Sequence, residues 1–456
     1  MKSEVLVPLC ETPVTLPVSY VPTPSAPYRI HRKAAQLTQQ PGRPRHGSEA
    51  ALAPAGARVL IWKQDPSVTE LGTRKAFLPG VILAGPRDAR IASGAPGIAP
   101  VSPNAFGDFI LPPDTEQFDA VHTFAVVRQT LSLYQRALAS SGTPAQLPWQ
   151  WNSQRNTDPI KVFPHGLPDV MNAYYSREER ALKFGDFIPS GETSRLYTCR
   201  SFDIVAHETG HAVLDGLKPR WLLRRNPPQT GGLHESFGDL TAIFLALSQL
   251  DQAEAVIAQT KADLHDKTFL ADMAEQFGLA LGRPNGLRNA DNDLTLAEAG
   301  NEVHAISQVF TGAIYDILAD IFAFERRPGL IDDAALLYRT GEYLCGLVLR
   351  SLIAAPDFGA TFAHVASHMA QFAVSDGKPP QYREFIRQRF TLRQVQVAED
   401  ARTLDIEADS GTLQDRRSCC GTMNHAEYFE LEDVLDEERK ALASWCQQHY
   451  AARNHA

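Results

Sequence analysis

Cysteine is sparse in this chain of 456 residues: Cys10, Cys199, Cys345, Cys419, Cys420 and Cys446, with no CxxC pair among them. That excludes a dense disulfide scaffold and a cysteine-based zinc ribbon, and free thiols are the expected state. Basic residues are outnumbered, 44 Lys and Arg against 53 Asp and Glu, for a formal net charge of -9. The clustered positive footprint of a nucleic-acid binder is absent, so no nucleic-acid partner is expected. The longest strongly apolar stretch, around 240–250, is too short to cross a bilayer, and no membrane span is expected. The first twenty residues, MKSEVLVPLCETPVTLPVSY, break every apolar stretch with acids or prolines. No h-region of a secretory signal is formed. The expectation is a protein that is cytoplasmic as synthesised, with non-classical export left open.

What is present is a globular composition, 44% hydrophobic and 21% charged. The length favours more than one core. Residues 1–55 are rich in Pro, Ser, Thr, Gln and Arg and read as a tail or short pro-segment. From 58 to 118, ARVLIWKQ, KAFLPGVILAG and FGDFILPP alternate apolar runs with Gly and Pro, the pattern of strands and turns. Val121, Phe124, Val127, Leu131, Tyr134 and Leu138 then recur at helical spacing over 116–140. Residues 145–200 return to strands and loops. Helices are expected at 201–217, 233–250, 252–263, 268–281, 302–324, 332–353, 358–373, 381–390 and near 426–450. Strands first and helices second indicate an α+β chain. Its expected parts are a 56–212 lobe, a helical 213–395 lobe and a 396–456 extension.

Residues 207–211 read HETGH. On a helix, positions four apart lie about 40° from each other around the axis, so His207 and His211 share a face. Two imidazoles on one face can converge on a zinc ion at about 2.0–2.1 Å. Glu208 projects beside them, where a carboxylate can take a proton from water. The alternative is a helix that carries these residues by chance. The flanks SFDIVA and AVLDGL argue against it, because polar groups on an apolar helix need partners. A tetrahedral catalytic zinc needs a third protein ligand. GGLHESFGDLTAIF at 231–244 offers Glu235 and Asp239, four apart on one helix face. Glu235 suits the third ligand. Asp239 suits an acceptor that orients a ligand histidine through its other N–H. His234, turned by about 100°, is expected outside the ligand set.

DIVAHETGHAVLDG at 203–216 and GGLHESFGDL at 231–240 resemble the thermolysin-like metallopeptidases, the gluzincins, which pair HExxH with a Glu ligand in an ExxxD helix. The resemblance spans roughly 58–395 and implies a two-lobed α+β fold. In that fold a strand-rich N-terminal lobe and a mostly helical C-terminal lobe flank the active-site helix. It implies His207, His211 and Glu235 as zinc ligands, Glu208 as general base and Asp239 as the residue orienting His207. VMNAYY at 170–175 resembles the family's edge-strand segment, making Asn172 and Ala173 substrate-binding residues. EVHAISQVF at 302–310 resembles the segment with a transition-state histidine, here His304. Arg288 in GLRNADN stands for the arginine that supports the Glu ligand and a substrate carbonyl, with Arg283 as the other candidate.

Departures from the pattern are specific. No Tyr lies between His211 and Glu235, where Trp221 is the aromatic candidate. The acidic partner expected five residues before His304 is Ala299. Asp203 matches a calcium ligand, but Ala246 stands where a second acid belongs, so a calcium site is doubtful. SAPYRI at 25–30 resembles the Pro-aromatic-aliphatic motif of short pro-segments. The implied activity is zinc metalloendopeptidase on a peptide or protein substrate, with oligomeric state left open. The alternatives are a weak or inactive zinc-binding protein of the same fold, and a processing or toxin peptidase with one protein target.

Overall fold

The computed structural model describes residues 56–68, 71–93, 100–140, 147–151, 154–156, 158–223, 226–281, 286–399 and 422. All lie in one compact unit, Pro54–Ala456. Residues 1–55, the SAPYRI motif, Arg283 and the expected 426–450 helix lie outside the described residues.

Alternation of buried and outward side chains makes Gly56–Trp62 (β1) a strand, with Ala57, Val59 and Ile61 inward. It pairs antiparallel with Thr73–Pro79 (β2). FGDFILPP supplies no full strand among the described residues, only a single bridge from Phe109 to Val59. The main sheet comprises Ile91–Ser93 (β3), Ile160–Pro168 (β6), Ala173–Ser176 (β7), Ala181–Phe187 (β8) and Leu196–Tyr197 (β9). Trp149–Trp151 (β4) and Gln154–Asn156 (β5) form a separate small hairpin. Sheet order is β3-β6-β8-β7, with β3, β6 and β8 parallel and β7 antiparallel to β8. That leaves β7 at an edge. Glu116–Ser140 (α1) packs on this sheet, and its six periodic apolar residues are all buried.

From residue 202 onward helices dominate. Phe202–Leu217 (α2) begins where the Ser201 hydroxyl accepts from Ile204 N, a side-chain N-cap. Pro228–Leu247 (α3) starts with Pro at its first position and is buried almost throughout. Leu250–Thr260 (α4) follows. The expected 268–281 helix is instead a two-residue strand, Asp272–Met273 (β10), and a short helix, Glu275–Ala280 (α5). Gly286, at φ 68°, lies against Met273, and β10 pairs with Arg288–Asn289 (β11). Backbone pairing there outweighs the helical pattern of the side chains. After Leu296–Ala299 (α6) come Val303–Glu325 (α7), Asp333–Ala354 (α8), Phe362–Ser375 (α9) and Pro380–Leu392 (α10). Helix α7 is long and apolar enough by composition to cross a membrane. Its apolar window is 83% buried inside the protein, packed on α3, so it serves as a core helix.

Two glycines set how closely the site helices approach. A Cβ on Gly210 of α2 would lie 2.5 Å from Thr241 Oγ1 of α3. A Cβ on Gly238 would lie 2.6 Å from the His207 ring. Only hydrogen at these positions lets α2 and α3 pack with His207 over the face bearing Glu235 and Asp239. Edge strand β7 is held to α2 by a buried ion pair. Arg177 forks onto Asp215, and the Tyr175 hydroxyl donates to Asp215 Oδ2 at 2.8 Å.

Candidate metal centre

Helix α2 presents His207 and His211 from adjacent turns, and α3 presents Glu235 across from them. All three are buried. His207 Nε2 lies 3.5 Å from Glu235 Oε2, and His211 Nε2 lies 3.6 Å from Glu235 Oε1. Three ligand atoms on a tetrahedral zinc at about 2.0–2.1 Å would stand roughly 3.4 Å apart. The spacing fits an ion and is too long for direct hydrogen bonds. Among the described residues His207 Nε2 and both Glu235 carboxylate oxygens are buried without a hydrogen-bond partner. Buried polar atoms in that condition are costly unless a cation satisfies them. The donor set, two imidazoles and one carboxylate, suits zinc.

The ligands are braced from behind. His207 Nδ1 lies 2.9 Å from Asp239 Oδ1, so it carries the proton and leaves Nε2 free to coordinate. Arg288 from β11 forks onto the same carboxylate, at 2.9 Å and 2.6 Å. Burial works against charge on His207, but its bond to Asp239 and the nearby Glu235 carboxylate raise it to about 10. Burial pushes His211 well below its ordinary value. Burial would raise both carboxyls; His304 and His211 hold Glu235 well below the usual carboxylate range, and Arg288 with His207 lowers Asp239.

His211 is positioned by a residue that helical spacing only excludes from coordination. His211 Nδ1 lies 2.7 Å from His234 Nδ1, both rings buried. With Nε2 of His211 facing the centre, its Nδ1–H donates and His234 accepts as a neutral ring. Burial keeps His234 neutral, lowering it to about 3. The signal is present in the sequence: the turn that removes His234 from Glu235's face aims it at His211.

His304 opens α7 with Nε2 3.3 Å from Glu235 Oε2. Its other nitrogen is not left without an acid, although Ala299 occupies the expected position. Glu302, the N-cap of α7, accepts from His304 Nδ1 at 2.9 Å and from the backbone of His304 and Ala305. Capping geometry brings Glu302 to the ring. Burial opposes its charge, but these bonds to His304 lower it overall. Trp221 does not fill the place of the missing Tyr. Its ring is buried and its Nε1–H donates to Pro356 O at 2.9 Å.

Asn172 and Ala173 stand where β7 begins. The Asn172 side chain accepts from Ala173 N at 2.8 Å, and the Asn172 main-chain carbonyl accepts from Gly185 N. Asn172 thus shapes the start of the edge strand. Ala173 lines a pocket with Ile204, His207, Glu208, Leu287 and Arg288. Glu208 is 2% exposed, and its Oε2 accepts from Tyr175 N at 3.1 Å.

Asp203, which also lines this pocket, meets acids that no sequence spacing joins to it. Burial and Asp65 raise Asp203 well above the usual carboxylate range. Burial, Asp203, Asp65 and Asp272 raise Glu275 to about 9. Ala246 is buried and offers no ligand. A carboxyl with a raised folded pKa contributes its full stability below the unfolded value, near ~4.3, and loses it as pH rises toward the folded value. Glu275→Gln is therefore expected to gain thermal stability over the parent chain between pH 5 and 9 in calcium-free buffer. Melting temperatures across that range test it; a gap that does not widen with pH would count against the cluster.

No family model matches this chain, and no curated protein matches it. Among solved structures, a precursor of protealysin, a metalloproteinase from Serratia proteamaculans, is similar at 16% identity. The alignment covers 67% of this chain and 85% of that one, with a TM-score of 0.42. The functional reading rests on the side chains described above.

Proposed function

We propose that this protein is a zinc metalloendopeptidase. The observation that carries the reading is the convergence of His207, His211 and Glu235 at cation spacing, with Glu208 beside them and facing the edge strand β7. A zinc ion held by these three residues would supply Lewis acidity toward a water and the scissile carbonyl. Glu208 takes the proton from that water and passes it to the leaving nitrogen. His304, braced by Glu302, donates from Nε2 to the oxyanion. Asp239 and Arg288 fix the His207 tautomer, and His234 fixes that of His211. The substrate lies extended along β7, because an edge strand offers main-chain hydrogen bonds to a peptide. The cavity beside Ala173 and Leu287 takes an apolar side chain.

The test is metal analysis of the purified chain. About one zinc per chain is expected, removable by a chelator and restored with zinc. A chain that holds no zinc after reconstitution would end this reading.

A further inference from the structure

Edge strand β7 does not offer its full free side to a substrate. Tyr175 N donates to Thr422 Oγ1 at 2.9 Å, and Thr422 Oγ1 donates to Glu208 Oε2 at 2.9 Å. Thr422 is 1% exposed and stands 214 residues beyond Glu208 in the chain. A threonine hydroxyl sits two bonds from its own Cα, so the main chain at position 422 also lies beside this point.

The contact uses two groups that catalysis requires. A peptide adding to β7 needs main-chain donors along that edge. A water about to lose its proton needs the Glu208 carboxylate within hydrogen-bond reach. One hydroxyl occupies both, accepting from the strand and donating to the carboxylate in a charge-assisted bond. Because Thr422 belongs to the same chain, it competes intramolecularly with a free substrate.

We propose that Thr422 is an intramolecular inhibitor, seated between the edge of β7 and Glu208, and that its displacement activates the enzyme. The inhibitory consequence rests on the peptidase reading; the docking itself does not. Thr422 lies within the 396–456 extension, which no other feature of the site explains.

The test uses the full chain carrying Thr422→Val, which keeps shape and loses the hydroxyl, or Thr422→Asp, which sets a like charge against Glu208. Two quantities are read: hydrogen exchange in peptides covering 173–176, and kcat/KM on an internally quenched peptide. Both variants should exchange faster at 173–176. Loss of a hydrogen bond to a charged group should raise kcat/KM about tenfold in Thr422→Val, and more in Thr422→Asp. Unchanged exchange in both variants overturns the docking. Faster exchange with unchanged kcat/KM in an active enzyme overturns the inhibitory role. Faster exchange in a chain that never cleaves peptide upholds the docking and removes the peptidase reading instead.

Discussion

Glu208→Gln is expected to retain its metal and lose peptide hydrolysis by roughly two to four orders of magnitude, the span attributed to a positioned general base. Glutamine keeps the shape of the side chain, and its amide oxygen can still accept from Tyr175 N, which lies 3.1 Å from Oε2 in the parent. What it cannot do is take a proton from water. Glu208 follows His207 on α2 but is not among the three residues whose ligand atoms converge. The substitution therefore separates proton transfer from metal binding. The measurement is kcat on an internally quenched peptide beside zinc content of the same sample. Normal turnover with normal zinc would sink the assignment of Glu208 as base, and loss of zinc would show that Glu208 belongs to the ligand set.

Glu235→Ala should abolish stoichiometric zinc. Glu235 is fully buried and is the only anionic member of the triad, facing His207, His211 and His304. Without it, a cation would meet two imidazoles and no anionic ligand, one ligand short of the three that a catalytic zinc site uses. The parent chain should gain thermal stability on adding zinc, about 4 kcal/mol when free zinc is a thousandfold above Kd. The variant should show no such gain. Asp239→Asn is the useful comparison. It removes an acceptor behind His207 and should weaken affinity by about 10- to 100-fold while leaving a detectable site. Zinc retained at one per chain in Glu235→Ala would break the ligand assignment.

The parts of this protein that are legible from the sequence are those set by local geometry. Residues four apart on a helix share a face whatever the rest of the chain does. His207 with His211, and Glu235 with Asp239, are therefore grouped by their spacing alone. The same holds for α1, whose apolar stripe from Val121 to Leu138 marks both its length and its buried side. Where the local pattern competes with backbone pairing, as at Asp272–Met273, the helix expected from side chains gives way.

Contacts between distant segments are decided only by the tertiary structure. Glu302 replaces the acid missing at Ala299 because an N-cap side chain folds back onto the first turn, where His304 sits. His234 braces His211 because Gly210 and Gly238 let α2 and α3 approach closely enough. Asp203 acquires the neighbouring charges of Asp65 and Asp239 through packing of separate segments. Thr422 reaches Glu208 across 214 residues, a separation that no periodicity or spacing rule encodes. Helical repeat is a property of the backbone and can be read from a few residues. Which side chains meet across closed loops depends on how the whole core packs, and that is specified by many residues at once.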